Sequence, residues 1–353
     1  MSTAQIYELP VIAQGMGTGL PSPQNTEISA NVVDSIGNTP MIRLSRYLDL
    51  PNIDLIAKLE ASNPGGSAKD RPARRMIEEG LKDGSINART TIIESSSGNM
   101  GIGLAQICRY HGLRFICVVD PNAQAQNVAI IRALGAEVRL VTEPLNGDFL
   151  AARLALVKEL LDGIEDSFWP NQYANLNNPL AHEFGTIREI DETLGGAFDY
   201  LFVATSSTGT ARGCRDYLAK RGRHTAVVAV DAAGSILFNG NAGPRKISGM
   251  GAGTLPDLAR DQHFDDVVRV SDIRCVAGCR RAAAREALLV GGSGGGVLEA
   301  VRQMQSELVG KTVAVILHDS GVRYLETVFN DAWVEKELGC SADDLHTMAN
   351  SRF

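Results

Sequence analysis

The chain has 353 residues, 44% of them hydrophobic, which is enough apolar side chain for a sizeable core and too much for a disordered segment. Its 41 acidic residues exceed its 34 basic ones, giving a net charge of -7, and the basic residues are scattered. That distribution argues against a nucleic-acid-binding surface and for small-molecule chemistry. No apolar run reaches membrane-spanning length and residues 1–24 lack the basic-then-apolar order of a signal peptide, so a cytoplasmic location is expected. The six cysteines never form Cys-x-x-Cys and the six histidines stand singly, so the cysteines read as reduced and structural and no metal is expected.

In chain order, residues 1–30 are rich in Gly, Pro, Ser and Gln without a period and read as a loosely ordered arm. Residues 53–59 have strand character, and 71–80 have helix-forming composition with Pro72 in the first turn. Between them lies Asn63-Pro64-Gly65-Gly66-Ser67-Ala68-Lys69-Asp70-Arg71, with Ser67 or Asp70 as the expected N-cap. Lys69 therefore sits where a turn becomes a helix. The positive end of the helix dipole and the adjacent Arg71 should disfavour its ammonium, and a neutral amine is what a Schiff base requires. The competing reading is an ordinary solvated lysine.

From residue 91, short apolar runs alternate with amphipathic stretches, the pattern of a mostly parallel sheet covered by helices. Strands are expected at 91–94, 114–119, 137–141, 200–204, 226–231, 267–270 and 312–317. Helices are expected at 101–110, 126–134, 149–161, 183–194, 211–220, 273–287 and 297–308. The series splits into two α/β units at residues 169–179.

Three glycine-rich turns carry the chemistry. Ser95-Ser96-Ser97-Gly98-Asn99-Met100 follows a strand and opens a helix, a start suited to a phosphate or carboxylate and equally readable as a well-capped helix. Ser206-Ser207-Thr208-Gly209-Thr210 repeats that arrangement and lacks the Gly-Lys-Ser/Thr of a nucleotide-binding P-loop. The third, residues 291–296 around Ser293, is by itself a weak signal. A dinucleotide site is disfavoured, because Gly249-Met250-Gly251-Ala252-Gly253 has no strand and acidic residue to complete the fingerprint.

Taken together and in this order, the segments at 36–41, 63–72, 95–101, 206–210, 246–253 and 291–296 resemble the fold-type II pyridoxal 5'-phosphate (PLP) enzymes, the cysteine synthase and cystathionine β-synthase family. The resemblance spans residues 36–324. It implies an α/β fold of two three-layer α/β/α domains, like the tryptophan synthase β subunit. The larger, PLP-binding domain would comprise 31–72 and 175–335, the smaller substrate-loop domain 73–174, and the tail 336–353.

It further implies that Lys69 carries PLP and acts as catalytic base, with Asn99 at the cofactor's ring oxygen and Ser293 at its pyridine nitrogen. Ser206, Ser207, Thr208, Gly209 and Thr210 would cradle the phosphate, although Ser206 and Thr208 replace glycines usual in the family. The substrate carboxylate would lie on Ser96, Ser97 and Asn99, near Met100, which stands in place of a usual threonine. Residues 246–253 would close over the substrate.

Within the family, the Asp-Pro after Val119, the Asn-Gln-Tyr-Ala-Asn at 171–175 and the serine-rich cradle resemble the synthases of N-(2-amino-2-carboxyethyl)-L-glutamate. These join O-phospho-L-serine to L-glutamate by β-replacement, through an aminoacrylate, on the way to 2,3-diaminopropionate and siderophores. Gln172, Tyr173 and Ser206 are then expected at the substrate, with Arg153 a further candidate partner of the departing phosphate. By its residue type and place alone, Arg153 reads first as a solvated helix charge. The resemblance also suggests a homodimer. The alternatives are a cysteine synthase, a cystathionine β-synthase-like enzyme, or a PLP-binding protein that has lost catalysis.

Overall fold

A computed structural model describes residues 28–351. The expected arm therefore lies, for residues 1–27, outside the described residues. Among the described residues, ten strands form two sheets. They are β1 (Met41–Arg43), β2 (Asp54–Leu59), β3 (Thr91–Ser95), β4 (Arg114–Val119), β5 (Glu137–Leu140), β6 (Ser167–Phe168), β7 (Tyr200–Ala204), β8 (Ala226–Ala232), β9 (Asp266–Val270) and β10 (Thr312–Leu317). The helices are α1 (Asp70–Asp83), α2 (Asn99–Tyr110), α3 (Ala125–Ala133), α4 (Phe149–Gly163), α5 (Asn177–Ala181), α6 (Ile187–Thr193), α7 (Gly209–Lys220), α8 (Asp272–Glu286), α9 (Gly292–Gln303), α10 (Asp331–Leu338) and α11 (Ala342–Asn350).

The six-stranded sheet runs β1-β2-β10-β7-β8-β9, and the four-stranded one β5-β4-β3-β6. All pairings are parallel except β1 with β2. The strands are runs of Val, Ile, Leu and Ala because a parallel sheet is covered on both faces. Phe202, Val228 and Val315 of the larger sheet are fully buried, as are Ile92, Ile93 and Ile116 of the smaller. At the other end of the chain α11 packs against α8, burying Leu345 and Ala349.

Helix starts depart from the sequence reading. Helix α9 begins at Gly292 and ends at Gln303, so the expected third turn is the first part of a helix. Its glycines serve packing: a Cβ on Gly295 would lie 2.2 Å from the Cys275 carbonyl oxygen, and one on Gly278 equally close to that of Gly295. Close backbone approach of α8 and α9 outweighs the cost of about 1 kcal/mol per helical glycine. The helix expected at 183–194 is instead α5, one π-turn at His182–Thr186, and α6.

Neither expected residue caps α1. Lys69 itself holds the N-cap position, Ser67 Oγ accepts from the Lys69 amide at 3.2 Å, and the Asp70 carboxylate accepts from the Gly65 amide at 2.5 Å. The side chains turn back to brace the preceding loop rather than the helix. Among the described residues no helix is long and apolar enough to cross a membrane, and no group of three or more His, Cys, Asp or Glu is placed to hold a metal. All six cysteines are free, five of them buried.

Candidate active site

Strands β2, β3, β7 and β10 all end at one cleft of about 420 Å³, outside the carboxyl ends of parallel strands where α/β folds place their ligands. The turn after β2 brings Lys69, that after β3 brings Ser95–Met100, that after β7 brings Ser206–Thr210, and that after β10 brings His318. Every residue singled out from the sequence lines this cleft: Lys69, Ser96, Ser97, Asn99, Met100, Arg153, Gln172, Tyr173, Ser206, Ser207, Thr208, Gly209, Thr210 and Ser293.

Burial pushes the Lys69 amine down to about 8, and no neighbouring charge contributes. This corrects the expectation for Arg71, whose guanidinium points away into Glu60 (2.7 Å) and Glu189 (2.6 Å). The low dielectric around Nζ, rather than a cationic neighbour, favours the neutral amine. The surrounding His182 and His318 are also held neutral by burial, His318 down to about 4.

The 206–210 loop is braced from behind. Thr210 Oγ1 lies 3.2 Å from His182 Nε2, Thr208 Oγ1 accepts from Gln262 Nε2 at 3.0 Å, and Ser207 Oγ accepts from Asn178 Nδ2 at 3.3 Å. A Cβ on Gly209 would lie 2.2 Å from Asn178 Oδ1, so only glycine fits. Thr208 adopts the left-handed conformation at φ 65°, strained for a β-branched residue. Helix α7 starts at Gly209, so its first amide groups lack intrahelical partners at this loop. Such a start suits a phosphate.

Across the cleft, Asn99 Nδ2 donates to Asp319 Oδ2 at 2.7 Å, and Asn99 Oδ1 accepts from Arg323. The Tyr324 hydroxyl donates to the same Asp319 oxygen at 2.5 Å. The bare Gly291 leaves room for this carboxylate, since a Cβ there would fall 1.9 Å from Asp319 Oδ1. Ser96 Oγ accepts from the Gly101 amide at 3.0 Å. Met100 is 2% exposed, with its side chain in the smaller unit's core, so where a threonine would offer a hydroxyl it offers only backbone.

Arg153 is not a solvated charge. Its side chain is 15% exposed and its Nε lies 3.0 Å from Asp120 Oδ2, at an angle that leaves the N–H without a hydrogen bond. Tyr173 is half-buried beside it, its hydroxyl pushed up by desolvation and by Glu94. Of the 246–253 loop, Lys246, Ser248 and Gly249 line the cleft, and Lys246 Nζ is paired with Glu337 at 2.7 Å. The sequence reading gave no role to His318, Asp319 or Tyr324. The available signal was the polar His318-Asp319-Ser320 directly after a buried parallel strand.

A lysine with a lowered pKa facing an anion-binding helix start, in one cleft, is the arrangement of an enzyme that holds a phosphorylated carbonyl cofactor. Residues 32–319 match the model of the pyridoxal-phosphate dependent enzyme family, and the chain belongs to that family; its cofactor is PLP. Solved structures agree. An O-acetylserine dependent cystathionine β-synthase from Helicobacter pylori is 34% identical, with a TM-score of 0.79 over 85% of this chain and 98% of that one. A hydrogen sulfide-producing enzyme from Fusobacterium nucleatum is 34% identical, with a TM-score of 0.80 over 85% and 99% of the two chains. An O-ureido-L-serine synthase is 28% identical, with a TM-score of 0.81 over 87% and 99%.

Proposed function

We propose that the protein is a β-replacement enzyme that joins O-phospho-L-serine to the amine of L-glutamate, forming N-(2-amino-2-carboxyethyl)-L-glutamate and phosphate. Lys69 would hold PLP, with Ser206–Thr210 around its phosphate, Asn99 at its ring oxygen and Ser293 at its nitrogen. When bound, PLP draws electrons from the substrate's Cα and makes the α-proton acidic. Neutral Lys69 Nζ takes that proton and later returns it. The first turn of α2, with Ser96, Ser97 and Asn99, orients the α-carboxylate.

The observation that carries the choice of donor is the Arg153 Nε–H, which makes no hydrogen bond although Asp120 Oδ2 lies 3.0 Å away, on the wall it shares with Tyr173 and Ser206. A phosphate dianion leaving Cβ would satisfy that donor and the two hydroxyls, which an acetate needs far less. The N–Cβ bond replaces the Cβ–O bond, and the phosphate leaves with that electron pair and the proton shed by the attacking amine. The small sheet with α2 would supply the substrate loop, and the large sheet the cofactor site.

Similarity to the O-acetylserine dependent enzyme supports a second reading, a cysteine or cystathionine synthase. Steady-state assays with both donors against glutamate, sulfide and homocysteine decide, with products identified by mass spectrometry. Faster turnover of O-acetylserine with sulfide than of O-phosphoserine with glutamate would reject the first reading.

A further inference from the structure

A second cavity of about 350 Å³ adjoins the cleft and shares Arg153, Tyr173 and Ser206 with it. Its far wall contains Arg245, whose guanidinium lies against the bare backbone of Gly251 and Gly253. A Cβ on those glycines would fall 2.9 and 3.0 Å from its terminal nitrogens. Arg245 Nε is buried with no hydrogen-bond partner, and the carboxylate that feels its charge, Asp231, makes no hydrogen bond to it. The carboxylate lining this cavity, Asp257, is 3.0 Å from Arg260 and largely exposed. The lining of this cavity also includes Leu154, Trp169 and Leu255. Arg245 is half-buried, but a buried, unmet N–H on it is costly, and a ligand that meets it recovers that cost.

We infer that this side cavity is the subsite for the attacking nucleophile, and that it takes an amino acid whose side chain ends in a carboxylate held by Arg245. The shared wall sets the ligand's amine toward the cleft, the apolar stretch covers its methylenes, and Arg245 reads the distal charge. Arg245 is thereby a specificity residue of the second substrate. The inference rests on the β-replacement reading and names its acceptor site.

The experiment has two arms on the PLP-loaded enzyme. In the first, glutarate binding is measured by calorimetry on wild type, Arg245→Gln and Arg245→Lys, which requires no turnover. In the second, KM and kcat are measured for O-phospho-L-serine with L-glutamate or with L-norvaline, which lacks the distal carboxylate. The expected result is glutarate binding that weakens at least tenfold in Arg245→Gln and recovers in part in Arg245→Lys. Glutarate should compete with glutamate, and the KM for glutamate should rise at least tenfold in Arg245→Gln with kcat changed less than threefold. L-Norvaline should be a poor acceptor for wild type. Equal glutarate binding by wild type and Arg245→Gln overturns the subsite, as does equal use of norvaline. A rise confined to the KM for O-phospho-L-serine also overturns it and assigns the cavity to the leaving phosphate. Arg245-dependent glutarate binding without product from any donor would reject the β-replacement reading while supporting the cavity's selectivity.

Discussion

Behind the loop that presents Lys69, buried charge is fully paired. Arg71 donates to Glu60 at 2.7 and 2.8 Å, to Glu189 at 2.6 and 2.8 Å, and to Thr39 at 3.3 Å, while Lys58 Nζ sits 2.7 Å from Glu189. These partners hold Glu189 down to about 2. In front of the loop, at the cleft and its side cavity, Arg153 Nε, Arg245 Nε and Asp319 Oδ1 are buried without hydrogen bonds, and the Lys69 amine has only burial acting on it. Open buried donors and acceptors also occur elsewhere, as at Tyr47 and Gln305, so it is the grouping of such atoms around one cleft with a neutral-leaning lysine that marks the site.

The largest expected effect is at the front. Lys69→Ala should abolish the visible absorption of the PLP-loaded protein and its turnover; retention of both would remove Lys69 from its role. Next comes the rear network. Arg71→Leu strands Glu60 and leaves Glu189 with Lys58 alone, and should cost roughly 3–5 kcal/mol in denaturant unfolding, whereas Arg245→Gln, which breaks no close ion pair, should cost under about 1 kcal/mol. Similar losses for the two would erase the contrast.

A smaller effect is expected at the cradle. Replacing Ser207 or Thr210 singly with Ala should weaken PLP retention by tens of fold, at about 1.5–3 kcal/mol per lost bond to a charged group, and replacing both should weaken it further. Unchanged affinity would move the phosphate elsewhere. The pH dependence follows from Lys69: the neutral amine captures PLP, and its fraction rises with pH through the folded-state pKa. Capture by apoprotein should therefore climb with a midpoint near 8, rather than near the ordinary lysine value. Stopped-flow absorbance gives this midpoint, and one above 10 would mean a solvated lysine. Smallest is Thr208→Gly, which relieves the left-handed strain but loses the bond from Gln262, so thermal unfolding should shift by less than about 1 kcal/mol equivalent. Gly209→Ala, by contrast, should be strongly disruptive, because its Cβ meets Asn178.

The strands were legible because both-face burial in a parallel sheet demands continuous β-branched and aliphatic runs; β4, β7 and β10 fall where their sequences place them. That Lys69, Asn99, the 206–210 loop and Ser293 belong together was legible from the family resemblance of their segments, and the structure brings all of them to one cleft. Helix starts were not. Glycine reads locally as a breaker, and only the close packing of α8 on α9 makes Gly292–Gly296 helical. Nor could the sequence reveal that Arg71 faces two carboxylates while Arg153 and Arg245 keep open donors. The three are alike as residues, and their difference arises from partners brought together from distant parts of the chain. Pairing and desolvation are set by three-dimensional neighbours, so composition and order determined the class of chemistry, and tertiary packing alone decided which charges were left for a ligand.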